Sequence, residues 1–348
     1  MRGLYIHVPF CQKKCPYCDF YSLPYSPEKA EEYKNAVVRN LSRYSKEEFD
    51  TVYFGGGTPA LICDKIGEIL DAADLAENAE ITVECNPESL NENALRELKK
   101  AGVNRLSFGV QSLIENELSA LGRAHSPQTA KDAIMLAHSL GFENISADIM
   151  LGIPNQTLDS LKRTIDGLGG LPITHVSAYL LKIEPNTVFG RKSGEIDLPD
   201  EDLQAELYLR AVEMLSQRGF MQYEISNFAK AGFESRHNLI YWRAEEYVGI
   251  GPSAHSYYDG WRFAVPKNLA RFLDNELQPT EITDFSPDKN EERILLGLRL
   301  SEGIRLSEKI KRRLILIPRE YYKLSSDRIS LTPRGFLVSN EIIATLLK

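Results

Sequence analysis

Gly3-Leu-Tyr-Ile-His-Val-Pro-Phe10 runs directly into Cys11-Gln-Lys-Lys-Cys15-Pro-Tyr-Cys18, so an apolar, strand-like run ends on three cysteines spaced C-x-x-x-C-x-x-C. The next cysteine is Cys63, so no fourth thiolate lies nearby in the chain. Three soft ligands at short, unequal spacings suit an iron–sulfur cluster with one iron left for an outside ligand. A zinc site completed by a histidine, with His7 the nearest, reads the same spacing equally well. A disulfide plus a spare thiol is the plainest alternative, and the tightness of the loop counts against it. Pro9 and Pro16 stiffen the loop so that the three sulfurs can face one side.

The remainder of the composition fits an intracellular protein. With 348 residues the chain can bury a large core and carry an appended module. A formal charge of −8 argues against general nucleic-acid binding. Five cysteines, an odd number with three clustered, read as metal ligation in a reducing compartment, and Cys63 and Cys85 as inert core residues on apolar segments. No basic leader precedes the first run and no apolar stretch approaches a membrane span. A cytoplasmic location is expected, with loose attachment to a membrane surface left open.

Strand-like and helical stretches alternate as far as residue 218, the pattern of parallel strands joined by right-handed crossovers. Strands are expected at Leu4–Val8, Thr51–Phe54, Ile81–Glu84, Arg105–Gly109, Asn144–Met150 and His175–Leu181. Helices are expected around Pro27–Tyr44, Asp64–Ala73, Asn91–Ala101, Ser126–Leu140, Leu158–Gly167 and Glu201–Arg218. Six such units predict an α/β fold, an open (β/α)6 partial TIM-type barrel over 1–218, with active residues at the C-terminal ends of the strands. Residues 219–286, irregular and crowded with Tyr, Trp, Gly and His, read as a linker region. Residues 287–348 read as a small, mainly helical, winged-helix-like module with helices Arg293–Leu300, Leu306–Leu314 and Asn340–Leu347 around a Ser/Thr-marked turn.

At the end of the second strand stands Gly55-Gly56-Gly57-Thr58-Pro59, where glycines let backbone approach a ligand, although most glycine-rich strand ends are ordinary turns. Tyr5-x-His7-x-Pro9-Phe10-Cys11, the cysteine loop through Tyr17-Cys18, and Gly55–Pro59 together resemble the radical S-adenosylmethionine (SAM) superfamily. The resemblance spans nearly the whole chain. It points to the branch of oxygen-independent coproporphyrinogen III oxidases and HemW-type haem chaperones.

The resemblance implies a 4Fe-4S cluster on Cys11, Cys15 and Cys18, with SAM chelating the free iron and cleaved reductively to a 5′-deoxyadenosyl radical. Gly56, Gly57 and Thr58 would face that iron across the barrel mouth. By similarity to the branch, Glu84, Gln111, Arg123 and Asp148 complete the SAM pocket. Arg123 suits the methionine carboxylate, and the other three suit ribose hydroxyls. Taken singly, each would be read as a structural hydrogen bond. Tyr5 and Tyr17 would pack beside SAM, or simply form core.

Departures from the oxidase pattern separate the two halves of the branch. The oxidases carry a further cysteine two places after the third ligand, where this chain has Phe20, and an N-terminal extension before the Tyr-x-His segment, which here begins at Tyr5. His237-Asn-Leu-Ile-Tyr241-Trp242 resembles the H-N-x-x-Y-W signature of the chaperones, which makes His237 the expected haem ligand and 219–286 a haem-associated region. Without that resemblance, His237 is a surface or hydrogen-bonded residue. His255 is a second candidate ligand, and His125 and His138 have no evident partner. Haem-accepting apoproteins and a flavodoxin or ferredoxin-type electron donor are the partners implied. The rival reading is oxidative decarboxylation of porphyrinogen propionates; a radical SAM enzyme acting on RNA is disfavoured by charge. The basic stretch Lys309–Arg313 reads as a solvated face or a docking surface, with no nucleic acid implied.

Overall fold

The computed structural model describes residues 1–348, the side chain of Ser193 excepted. Each expected strand forms: β1 (Gly3–Val8), β2 (Glu48–Gly56), β3 (Asp74–Cys85), β4 (Arg105–Gln111), β5 (Asn144–Leu151) and β6 (His175–Leu180). Each is parallel to its neighbour in that order. The helices that follow these strands are α1 (Pro27–Leu41), α2 (Cys63–Asp71), α3 (Glu92–Lys100), α4 (Pro127–Ser139), α5 (Leu158–Gly169) and α6 (Glu201–Ser216). Their starts are written in the sequence. Ser26 and Ser126 cap helices that open with proline, Thr157 closes a capping box with Ser160, and Asp200 caps α6.

Alternate strand positions serve two faces. Leu4, Ile6, Val8, Val52, Phe54, Val83, Leu106, Phe108, Ile145 and Ala147 are fully buried in the continuous core beneath the helices. The intervening residues are polar or aromatic and bond to one another on the opposite, interior face, as in Tyr53 to Glu84, Ser107 to Asp148, and Ser146 to His175. An interior lined in this way is a polar barrel lumen.

The stretch expected as a linker, 219–286, instead joins the sheet. Tyr247–Ile250 lies parallel to β1 in the register Gly3 to Tyr247 through Ile6 to Ile250. Labelling the added strands β7 (Met221–Gln222), β8 (Asn227–Ala229), β9 (Tyr247–Ile250), β10 (His255–Tyr258), β11 (Trp261–Ala264) and β12 (Glu281–Asp284) gives the order β12-β11-β10-β9-β1-β2-β3-β4-β5-β6-β8-β7. Antiparallel strands therefore flank the parallel barrel on both sides. The C-terminal module has helices at Lys289–Gly297, Glu308–Arg313, Pro333–Leu337 and Ser339–Leu347. It also holds a three-stranded antiparallel sheet that the helical reading omitted, of Ile304–Arg305, Arg328–Leu331 and Tyr322–Ser325. Among the described residues, no helix is long and apolar enough to cross a membrane.

Candidate metal centre and ligand pocket

The cysteine loop leaves the C-terminal end of β1 and is tied off at its base. Phe10–Cys11 pairs with Leu23–Pro24, and the Cys18 amide donates to the Cys15 carbonyl at 3.1 Å. The sulfurs are thus presented on a short closed loop at the barrel mouth. Among the described residues, no three histidine, cysteine or carboxylate side chains converge on one ion position.

His7 is removed from the ligand set. Its Nε2 meets the Tyr21 carbonyl at 2.9 Å and its Nδ1 meets the Tyr5 hydroxyl at 3.0 Å, so neither nitrogen is free for zinc. Burial pushes its pKa down to about 4 against a smaller opposing effect of the Tyr21 bond. The ring supports the loop from below.

The glycine stretch lies against the cysteine loop and not across the mouth from it. Gly57 donates to the Val8 carbonyl at 2.8 Å and Thr58 to the Phe10 carbonyl at 2.7 Å. A Cβ on Gly57 would come within 2.4 Å of the Phe10 oxygen, and one on Gly56, at φ +109°, within 2.6 Å of the His7 ring. Close packing of two strand ends therefore requires these glycines. The Thr58 hydroxyl points to Cys11 Sγ at 3.7 Å and accepts from the Asn86 amide at 3.0 Å.

Arg123, from the loop between β4 and α4, reaches the same place. Its Nη1 donates to Cys15 Sγ at 3.4 Å, and its Nη2 to Asn86 Oδ1 at 2.8 Å and the Gly109 carbonyl at 3.1 Å. Its buried Nε has no partner. Gln111 sits at φ +64° where the β4 register slips, so strand-end strain turns its side chain back toward Gly109, whose missing Cβ would lie 3.0 Å from the Gln111 amide nitrogen. Cys15, Thr58, Asn86, Glu88 and Arg123 share the lining of one pocket.

Glu84 and Asp148 lie deeper. Glu84 accepts from Tyr53 at 2.9 Å and from the Gly56 amide at 3.3 Å, and burial pushes its pKa up to about 7. It braces the glycine loop. Asp148 pairs in register with Gly109 and accepts from Ser107 at 3.0 Å and Ser146 at 3.2 Å. Tyr5 stacks on Tyr53, while Tyr17 packs against Phe189 at 6.2 Å beside Cys15 and Arg123.

Two pocket residues, Asn86 and Glu88, and the buried His125 behind them escaped the sequence reading. Asn86 links Thr58 to Arg123. Glu88 faces Arg123 at 3.9 Å and holds His125 at 3.1 Å. His125, expected to lack a partner, is buried between Glu88 and the Val110 carbonyl. Asn86 and Glu88 carry one sequence signal, their position just past the end of β3 beside Glu84.

His237 corrects the expectation placed on it. It is fully buried on the helix Arg236–Trp242 at the opposite, N-terminal end of the barrel. Thr51 meets its Nδ1 at 2.7 Å and Tyr241 its Nε2 at 2.7 Å, while Glu80 accepts from its backbone amide at 3.1 Å. Burial lowers its pKa to about 3. The ring stacks on Tyr53 at 5.1 Å and offers no nitrogen to an iron. His255, by contrast, is exposed at the start of β10 and has no hydrogen-bond partner among the described side chains.

A three-cysteine loop and glycine strand end at the mouth of a partial parallel barrel define a radical SAM protein, and residues 5–168 match the Radical SAM superfamily. The solved structure of Escherichia coli coproporphyrinogen III oxidase (HemN), a radical SAM enzyme, superposes with a TM-score of 0.83 over 99% of this chain and 89% of its own; at 20% identity this shows the shared fold. The protein named heme chaperone HemW from Bacillus subtilis (strain 168) is 36% identical over 100% of this chain and 99% of its own length. The Escherichia coli (strain K12) protein of that name is 40% identical over 73% of this chain and 69% of its own. The chain belongs to the HemW family of radical SAM proteins.

Membership brings a 4Fe-4S cluster and SAM, and the site fits both. Three sulfurs stand on one closed loop, and Arg123, whose buried Nε has no partner, lines the same pocket as Cys15.

Proposed function

We propose that the chain binds haem and passes it to acceptor apoproteins, using a 4Fe-4S cluster on Cys11, Cys15 and Cys18 and SAM held by the mouth residues. End-to-end identity with proteins named as haem chaperones carries the reading. When bound, the cluster supplies an electron to SAM, drawn from a flavodoxin or ferredoxin-type donor. Arg123 receives the methionine carboxylate, Gln111 and Asp148 the ribose, and Glu84 keeps the glycine loop in place against the SAM amino group. Tyr17 shields the pocket beside Cys15, and Tyr5 supports it through His7. Cytoplasmic residence with loose attachment to membranes belongs to the same reading.

The axial haem ligand is His255. Its ring is unpaired, and it shares a sheet face with Tyr257 near Lys267, a cation for a propionate, while Arg262 on that face is held by Glu292. Phe20, 66% exposed at the rim where the oxidases place another cysteine, adds apolar surface suited to a porphyrin.

The test is anaerobic incubation of cluster-reconstituted protein with reductant, SAM and coproporphyrinogen III, beside a haem titration. Stable haem binding without decarboxylation is expected, and His255→Ala should change the haem absorption spectrum. Formation of protoporphyrinogen would overturn the chaperone reading, and an unchanged spectrum would overturn the His255 assignment.

A further inference from the structure

We infer that the turn Leu314–Ile317 and the basic residues around it form a docking surface for an anionic lipid bilayer. This deepens the membrane clause of the functional reading by naming the surface, and it holds whether or not haem is the cargo.

The two most exposed large hydrophobic side chains in the described structure are consecutive, Ile315 at 87% and Leu316 at 69%. They form the tip of a 3-10 turn that follows the helix Glu308–Arg313. On either side Leu314 and Ile317 are buried, at 6% and 7%, so the turn is anchored in the module's core while its tip projects. Pro318 follows directly and cannot extend the helix. The exposed pair is therefore displayed by a fixed scaffold.

The charge of the segment that carries the tip runs against that of the chain. Residues 305–323 hold seven basic and two acidic side chains, in a protein of formal charge −8. Most of this set is engaged: Lys309 donates to the Leu347 carbonyl, Arg313 to the Thr345 carbonyl, Lys311 pairs with Glu308, Arg305 with Asp327, and Arg319 lies over the Tyr322 ring. The Lys309 and Arg313 bonds hold the basic helix against the C-terminal helix. Arg312, next to the tip but one, has no bond of this kind, and Lys323 is also free.

Two aliphatic side chains on one protruding turn are too small a patch for a stable protein interface, which needs roughly 800 Å² per partner. They suit insertion among lipid headgroups, where apolar side chains leave water while nearby cations meet anionic phosphates. A surface of this kind would bring a haem carrier to the bilayer into which its hydrophobic cargo partitions.

The experiment is co-sedimentation of the full chain, free of haem and SAM, with phosphatidylcholine vesicles with and without phosphatidylglycerol. Binding should be about tenfold or more stronger with phosphatidylglycerol, and should fall as salt is raised to ~0.5 M. The exposed double change Ile315→Ser/Leu316→Ser should lower binding about tenfold, and Arg312→Glu several-fold on anionic vesicles only, with circular dichroism melting unchanged. Equal binding to both vesicle types, binding to neither, or full binding by the double variant overturns the inference. Because no haem is present, failure here leaves the haem reading standing, and failure of haem binding leaves this result intact.

Discussion

The two ends of the barrel are built from the same kinds of residue and put them to opposite uses. At the N-terminal end, His237 spends both ring nitrogens on Thr51 and Tyr241 and its amide on Glu80, and its ring stacks on Tyr53. At the C-terminal end, the three cysteines are free thiols and Arg123 keeps an unpartnered Nε. A polar side chain whose valence is met inside the fold is part of the scaffold. One left with valence to spare, on a residue that lines a pocket, is ready for a ligand. In a parallel barrel the second kind belongs at the C-terminal ends of the strands, where the loops can vary without disturbing the core.

Cys15→Ala should have the largest effect and would break the comparison at its open end. Loss of one of three thiolates removes a cluster corner, so the visible absorption and iron content of the reconstituted protein should fall to background. A variant that retained a full cluster would show that the loop is not the ligand set. Thermal stability should change little, because Cys15 is only half-buried and packs on a loop already tied by Phe10–Cys11 and Leu23–Pro24.

His237→Ala attacks the closed end and should give the reverse pattern. It removes a buried ring and leaves Thr51 and Tyr241 without their shared partner, a cost of about 2–4 kcal/mol in denaturant unfolding. Cluster content and the haem spectrum should be those of the unaltered protein. A changed haem spectrum at unchanged stability would reverse the assignment of this end of the barrel.

The same contrast explains what could be read from the chain. Strands β1 to β6 and their helices were legible because apolar residues recur with the right period and the caps at Ser26, Ser126, Thr157 and Asp200 mark the starts. Tyr247–Ile250 was not, because a four-residue strand between Gly- and aromatic-rich turns is defined by pairing with β1, more than two hundred residues earlier. The C-terminal hairpin was missed for a local reason. Tyr322–Ser325 and Arg328–Leu331 are short and half-exposed, and the turn between them places Ser326 at φ +26°, which its residue type does not announce. Within the site, Cys11, Cys15, Cys18 and Gly55–Thr58 carried their own spacing. Asn86, Glu88 and His125 acquire meaning only once the fold brings Arg123 over them. His237 was misread because a signature tells which residues travel together and not which way a ring points.

The smallest effect sharpens the comparison along the barrel wall, where two buried carboxyls differ in how fully they are paired. Glu84 has both oxygens bonded, whereas Glu224 accepts from the Ser226 amide at 3.0 Å with one oxygen and leaves the other unpartnered. Burial pushes both pKa values up to about 7. For a carboxyl raised in the folded state, the native protein holds more protons than the unfolded chain between the two pKa values. Its stability is therefore highest below pH ~4.5 and falls as pH rises to ~7, by on the order of 2–3 kcal/mol for one fully buried group, then stays level. Glu224→Gln keeps an acceptor for Ser226 and removes the charge. Between pH 5 and 8 the variant should lose less unfolding free energy than the unaltered protein, with the remaining slope supplied by Glu84. Equal slopes in the two proteins would mean that Glu224 is solvated or paired in the native state, and the distinction between the two carboxyls would fall.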